Sequence, residues 1–106
     1  VINGIDFLID LYVVFRQVSL PFMNTWFVYI IRCIDGSLYT GCTNHVIRRW
    51  HQHRQGNGAI YLQANEPKSV VFVEEHPDRS QACKREYQIK QFSKQEKESL
   101  ITDKTA

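Results

Sequence analysis

Most of the usual shortcuts to a function are missing from this chain. It has only three cysteines, and no two of them stand as C-x-x-C, which argues against a structural zinc site. The odd number, together with the lack of a basic signal start and a small-residue cleavage site, favours reduced thiols and a cytoplasmic location. The longest apolar stretch, Ile5 to Phe15, is interrupted by Asp6 and Asp10. It is too short for a membrane span, which needs about 20 apolar residues. Repeats and low-complexity tracts are absent. Methionine occurs once, at Met23, which predicts that translation starts there and that residues 1–22 are an upstream extension. An intact mass that includes Val1–Phe22 would refute this. No acid occurs between His45 and Gly58, where three arginines and three histidines gather.

What is present describes one small folded domain. The 106 residues are 43% hydrophobic with a formal charge of +2, which permits a nucleic-acid partner without requiring one. Trp26 to Ile34 is β-branched and aromatic with only Arg32 charged, the pattern of a buried strand. Asp35-Gly36 is a turn signal, and Ser37–Cys42 returns as a second strand. Thr43 or Asn44 can cap a helix over His45–Gln55, with Val46, Trp50 and Ile47 inward and Gly56-Asn57-Gly58 as the stop. Gly56 to Lys68 reads as loop, and Ser69–Glu75 as a third strand. Asp78 or Ser80 opens a helix to about Phe92, and Ser93-Lys94-Gln95-Glu96 is a capping box for a last helix to Ile101, before a frayed tail at 102–106. The expected fold is α+β, a three-stranded mixed sheet packed with helices in the order β-β-α-β-α-α.

Both strands of the hairpin carry a tyrosine, Tyr29 and Tyr39. A two-residue loop would pair Ile34 with Ser37 and put the tyrosines on opposite faces. A three-residue loop including Ser37 would pair Ile34 with Leu38 and put both on one face, offset by four residues or about 13 Å. Shared chemistry therefore predicts the three-residue loop or a bulge. Cys33 and Cys42 could approach each other on the same hairpin. His51 and His53, two apart on a helix, should diverge.

In order, these pieces resemble the GIY-YIG nuclease family, in its small stand-alone bacterial form. Val28-Tyr29-Ile30 stands for the first motif and Tyr39-Thr40-Gly41 for the second. Arg49 follows ten residues after Tyr39, His53 four later, and Glu86 lies in K-R-E-Y-Q-I-K. The C-x-D-G-S-x-Y-T-G hairpin, the G-x-G-A loop and the D-R-S-x-A helix entry run alongside, so the resemblance covers about residues 25–101.

The resemblance implies a DNA substrate, an Mg²⁺ or Mn²⁺ ion, and a setting in DNA repair or recombination. Glu86 becomes the metal ligand, since a hard ion often takes one carboxylate plus waters; its plain alternative is an i, i+4 pair with Lys90. Arg49 becomes a bidentate phosphate clamp. Arg48, about 100° round the helix, should point elsewhere. His53 would orient water, move a proton or touch phosphate; its plain alternative is a helix-end histidine favoured by the dipole. Tyr29 is the candidate general base or water-orienting group, and Tyr39 a positioning group; both could instead be strand packing. Gly41 would allow close backbone approach to the glutamate helix or substrate, with Asn44 and Arg54 as further DNA contacts. Cys42 stands where many members have lysine, leaving Arg54 or Lys84 to supply that cation. Two other classes compete: a nucleic-acid-binding module without catalysis, and a redox or zinc-binding protein, which stoichiometric zinc would favour.

Overall fold

The computed structural model describes residues 24–105; residues 1–23, and the expectation that translation starts at Met23, lie outside the described part. Strand β1 spans Trp26–Cys33, β2 Leu38–Thr43, helix α1 Val46–Arg54, α2 Ile60–Ala64, β3 Pro67–His76, α3 Arg79–Lys90 and α4 Lys94–Thr105. The sheet order is β2-β1-β3. Both pairings are antiparallel, so the sheet is not mixed as expected.

The apolar run Phe27 to Ile31 is central because it is buried on both faces. Phe27, Tyr29, Ile31 and Cys33 point to one side, where Val46 and Trp50 of α1 and Leu62 of α2 cover them. Val28 and Ile30 point to the other, against Ala82 and Ile89 of α3 and Ile101 of α4. Strand β3 serves both layers through a bulge. Phe72 pairs with Ile30 but Val70 with Ile31. The extra residue lets Val71 and Phe72 bury on the same side.

Helix α4 is tied to the central strand by a fork of two hydrogen bonds, from Arg32 Nη1 and Nη2 to Glu98, at 2.8 and 2.7 Å. The capping box forms as read. Ser93 Oγ accepts from the Glu96 amide at 3.1 Å, and Glu96 accepts from the Ser93 amide at 2.8 Å. Helix α4 then runs past Ile101, so most of the expected tail is helical.

Two further differences have local causes. The loop expected at 56–68 contains α2, a single turn anchored by buried Leu62 and closed by Asn65, whose side-chain amide donates to the Tyr61 carbonyl at 2.9 Å. Helix α1 is capped by the imidazole of His45, which accepts from the Arg48 amide. Thr43 Oγ1 instead accepts from the His45 amide. Asp78 caps α3 as one of the two expected choices.

Candidate active site

The hairpin geometry decides whether the two tyrosines can cooperate. Gly36 donates its amide to the Cys33 carbonyl at 2.9 Å and has φ 88°, a left-handed conformation that glycine adopts freely. Cys33 then donates to the Ser37 carbonyl at 2.8 Å. The loop is therefore three residues, Ile34-Asp35-Gly36, a tight turn followed by a glycine bulge. It is one residue earlier than the three-residue loop expected. Ile31 pairs with Tyr39 and Tyr29 with Gly41, so the tyrosines share a face with an offset of two residues rather than four. Their ring centroids lie 6.4 Å apart. The same register puts Cys33 opposite Ser37 and Cys42 opposite Val28, so these two cysteines do not meet.

Gly41 matters because the Tyr29 side chain crosses over it. A Cβ at position 41 would fall 2.5 Å from Tyr29 Oη and 2.7 Å from its Cζ. The close approach expected at this glycine is made by the phenol, not by helix or substrate. Gly41→Ala is expected to displace the phenol, lower stability by about 1–3 kcal/mol and reduce activity at least tenfold. A thermal melt and a cleavage assay on the same preparation check both effects.

The phenol ends on His53. Tyr29 Oη and His53 Nε2 are 2.8 Å apart in the interior. His53 Nδ1 accepts the Ala59 amide at 3.3 Å. The Nε2 atom therefore carries the proton and donates to the phenol oxygen. The G-x-G-A loop builds this seat. Helix α1 ends in a Schellman motif: the Gly56 amide bonds to the His53 carbonyl and the Asn57 amide to the Gln52 carbonyl, with Gly56 at φ 79°. A Cβ at Gly58 would run into the imidazole of His53. His53 is 1% exposed, and its Nε2 faces the phenol of Tyr29. Nor is it a charged helix-end histidine: burial first, then Arg49, lowers its pKa from 6.5 to about 4. His51 is exposed, so the two histidines diverge as expected.

This pair makes stability pH-dependent. Folded His53 stays neutral down to about pH 4, whereas the unfolded chain takes up its proton near 6.5. The contribution is complete above about pH 6.5 and is lost as pH falls toward 4, up to about 3 kcal/mol. The melting temperature is therefore expected to be flat near neutrality and to fall below pH 6.5, with a shallower fall in His53→Gln. Calorimetry across pH 4–8 checks this.

An open cavity of about 490 Å³ lies beside β2, the edge strand. Tyr29, Tyr39 and Arg49 line one side, Cys42, Cys83 and Glu86 another. Four of the five residues expected to share the chemistry thus meet there, and His53 stands behind Tyr29. Glu86 is the one carboxylate lining this cavity among the described residues. Its Oε2 is 3.0 Å from Lys90 Nζ, so the plain i, i+4 pair exists alongside its place in the cavity. Burial raises the Tyr29 pKa most, then the neighbouring Tyr39, while a hydrogen bond and the charge of Arg49 oppose the rise. Tyr39 is raised by burial and opposed by Lys90 and Arg49. Arg49 is steadied by a 3.0 Å bond to Gln52 Oε1.

Three expectations change. Arg48 does not point elsewhere; its long side chain reaches the same cavity, with Asn44 Oδ1 3.5 Å from its Nη2. Arg54 lies outside the cavity, with its guanidinium 5.7 Å from the Trp50 ring centre. The cation beside Glu86 and Tyr39 is Lys90, not Arg54 or Lys84. Sequence reasoning also missed Arg79, which lines the cavity beside Trp26 with its guanidinium 5.4 Å over the indole ring. Arg79 stood in the D-R-S-x-A entry and could have been marked as a helix-start arginine near Glu86. Tyr61, 42% exposed, stacks on Tyr39 at 6.0 Å and extends the aromatic wall outward.

Comparison with known proteins identifies the domain. Residues 25–99 match the model of the GIY-YIG catalytic domain. The chain is 44% identical over 84 residues to a UPF0213 protein of Cronobacter sakazakii, covering 79% of this chain and 88% of that one. It is 43% identical over 82 residues to one from Staphylococcus aureus, covering 77% and 100%. The solution structure of the UPF0213 protein BH0048 from Bacillus halodurans superposes with a TM-score of 0.50 at 39% identity, covering 76% of this chain and 85% of that one. The chain belongs to the GIY-YIG nuclease family, alongside its small UPF0213 members.

Proposed function

We propose that the protein is a divalent-metal-dependent DNA nuclease that uses Tyr29, Arg49 and Glu86, with Tyr39 positioning the phosphate and His53 positioning Tyr29. The observation that carries this reading is the meeting of Tyr29, Tyr39, Arg49 and Glu86, from separate elements of the fold, around one open cavity.

Phosphodiester hydrolysis is mostly placement and charge stabilisation. Arg49, held by Gln52, can bind two phosphate oxygens with its planar fork. Arg48, Arg79 and Lys90 add positive charge around the same volume. Glu86 is a hard oxygen donor facing a space with room for waters, which fits Mg²⁺ or Mn²⁺ bound through one carboxylate. When bound, such an ion withdraws charge from the phosphate.

The Tyr29 oxygen accepts from His53 Nε2–H and from Arg49. These donors fix its position and favour phenolate, while burial favours phenol. In the resting protein burial prevails and Tyr29 is neutral. Tyr29 orients the attacking water, and its phenolate fraction takes the water's proton. Trp26 in the cavity wall and Tyr61, stacked on Tyr39, offer ring surface to bases.

The test is incubation of the purified protein with single-stranded, duplex and branched DNA, with and without Mg²⁺ or Mn²⁺. Metal-dependent strand cleavage is expected. Salt-sensitive binding with no cleavage under either ion would replace this reading with that of a binding module.

A further inference from the structure

The cavity wall formed by β2 and α3 holds a pair of cysteines that phosphodiester chemistry does not use. Cys42 of β2 and Cys83 of α3 place their Sγ atoms 3.6 Å apart. A carboxylate oxygen of Glu86 completes a group whose three donor atoms all lie within 4.8 Å of one another. Both thiols are free, half-buried and open to the cavity. Cys83 and Glu86 are three apart on α3 and share a face. Cys42 follows Gly41 and points to the sheet face opposite Tyr29, toward α3. A sequence separation of 41 hides the cysteine pair from any test of motif spacing.

We propose that Cys42, Cys83 and Glu86 form a zinc site that competes with the hard cation for Glu86. Its consequence for cleavage rests on the nuclease reading; the binding itself does not. Two thiolates on one tetrahedral Zn²⁺, each about 2.3 Å from the metal, stand about 3.8 Å apart. The observed 3.6 Å needs almost no movement, whereas a disulfide would require the sulfurs to close to about 2.05 Å. Two sulfurs and one oxygen suit a borderline-soft ion far better than Mg²⁺, which prefers oxygen alone. Three protein ligands leave a fourth position facing the cavity for water. On binding, each thiol gives its proton to solvent, and Glu86 gives up its ion pair with Lys90. Zn²⁺ there removes the oxygen donor proposed for Mg²⁺, so zinc turns cleavage off reversibly.

The test uses Co²⁺ as the probe, with a non-thiol reductant present. The intact protein is expected to show a thiolate-to-Co²⁺ charge-transfer band that saturates at one ion per chain and disappears when Zn²⁺ is added. Cys42→Ser and Cys83→Ser should each lose the band and bind Zn²⁺ at least tenfold more weakly, while Cys33→Ala keeps it. Melts establish that each variant is folded, and either serine variant suffices. Absence of the band in the parent, or its survival in a folded serine variant, overturns the proposal. In the cleavage assay, one equivalent of Zn²⁺ should slow the Mg²⁺-supported reaction at least tenfold, a zinc-selective chelator that leaves Mg²⁺ free should restore it, and Cys83→Ser should escape it. A band without any cleavage keeps the zinc site and removes the nuclease reading; cleavage without a band does the reverse.

Discussion

Glu86→Ala is expected to lower metal-dependent DNA cleavage by at least about 10³-fold. The variant removes the carboxylate that lines the cavity together with Arg49. Little else should change. Its pair with Lys90 is an i, i+4 surface contact, a kind worth about 0.3–0.5 kcal/mol. The melting temperature should therefore move by only a few degrees. DNA affinity should stay within about threefold, because Arg48, Arg49 and Arg79, the arginines that line the cavity and are proposed to meet phosphate, remain in place. Single-turnover rates at saturating protein, with binding measured separately, distinguish a lost step from lost binding.

Tyr29→Phe should reduce the rate by about 10²–10⁴-fold, the usual contribution of a positioned acid or base. The change deletes one oxygen and leaves His53 Nε2–H buried without an acceptor, at a cost of about 1–3 kcal/mol. A stability loss alone is therefore not diagnostic; the pH profile is. Because burial raises the Tyr29 pKa, the phenolate is a small fraction at neutral pH and grows about tenfold per pH unit below that pKa. The parent rate should climb through pH 7–9 with that slope. The Tyr29→Phe variant should lose most of the climb, and a rate profile of both proteins measures it.

Much of this site was legible because its residues sit on regular elements. The continuous run Phe27 to Ile31 reads as a buried strand, and it is the centre of the sheet. The capping box at Ser93 and the cap at Asp78 form because each is a local device needing only its own three or four residues. The shared face of Tyr29 and Tyr39 followed from requiring one chemistry of both. The loop residue count was right and its position wrong by one, because Gly36 with its positive φ ends the turn as a bulge. That shift halves the offset of the tyrosines.

What could not be read depends on distant contacts. Nothing in the spacing of His53 says that Ala59 will fix its tautomer or that Tyr29 will reach it across Gly41. His53, on the same helical face as Arg49, was expected to orient water, move a proton or touch phosphate; that the Gly58 seat would hold its imidazole against Tyr29 was not readable. Arg48 was misplaced because a turn angle describes where Cα–Cβ points, not how far an arginine reaches. The Cys42–Cys83 pair and the nearness of Lys90 to Tyr39 depend on how α3 lies against β2, which no local pattern encodes.

The central claim is that these side chains cut DNA from one cavity. The most direct measurement is single-turnover cleavage of end-labelled DNA by the purified protein and by Tyr29→Phe, each with Mg²⁺ and with chelator, at equal bound fraction. The account predicts cleavage by the parent with Mg²⁺, none with chelator, and a rate at least about 10²-fold lower in the variant. Equal cleavage by both proteins, or binding without cleavage by the parent under any divalent ion, would contradict it.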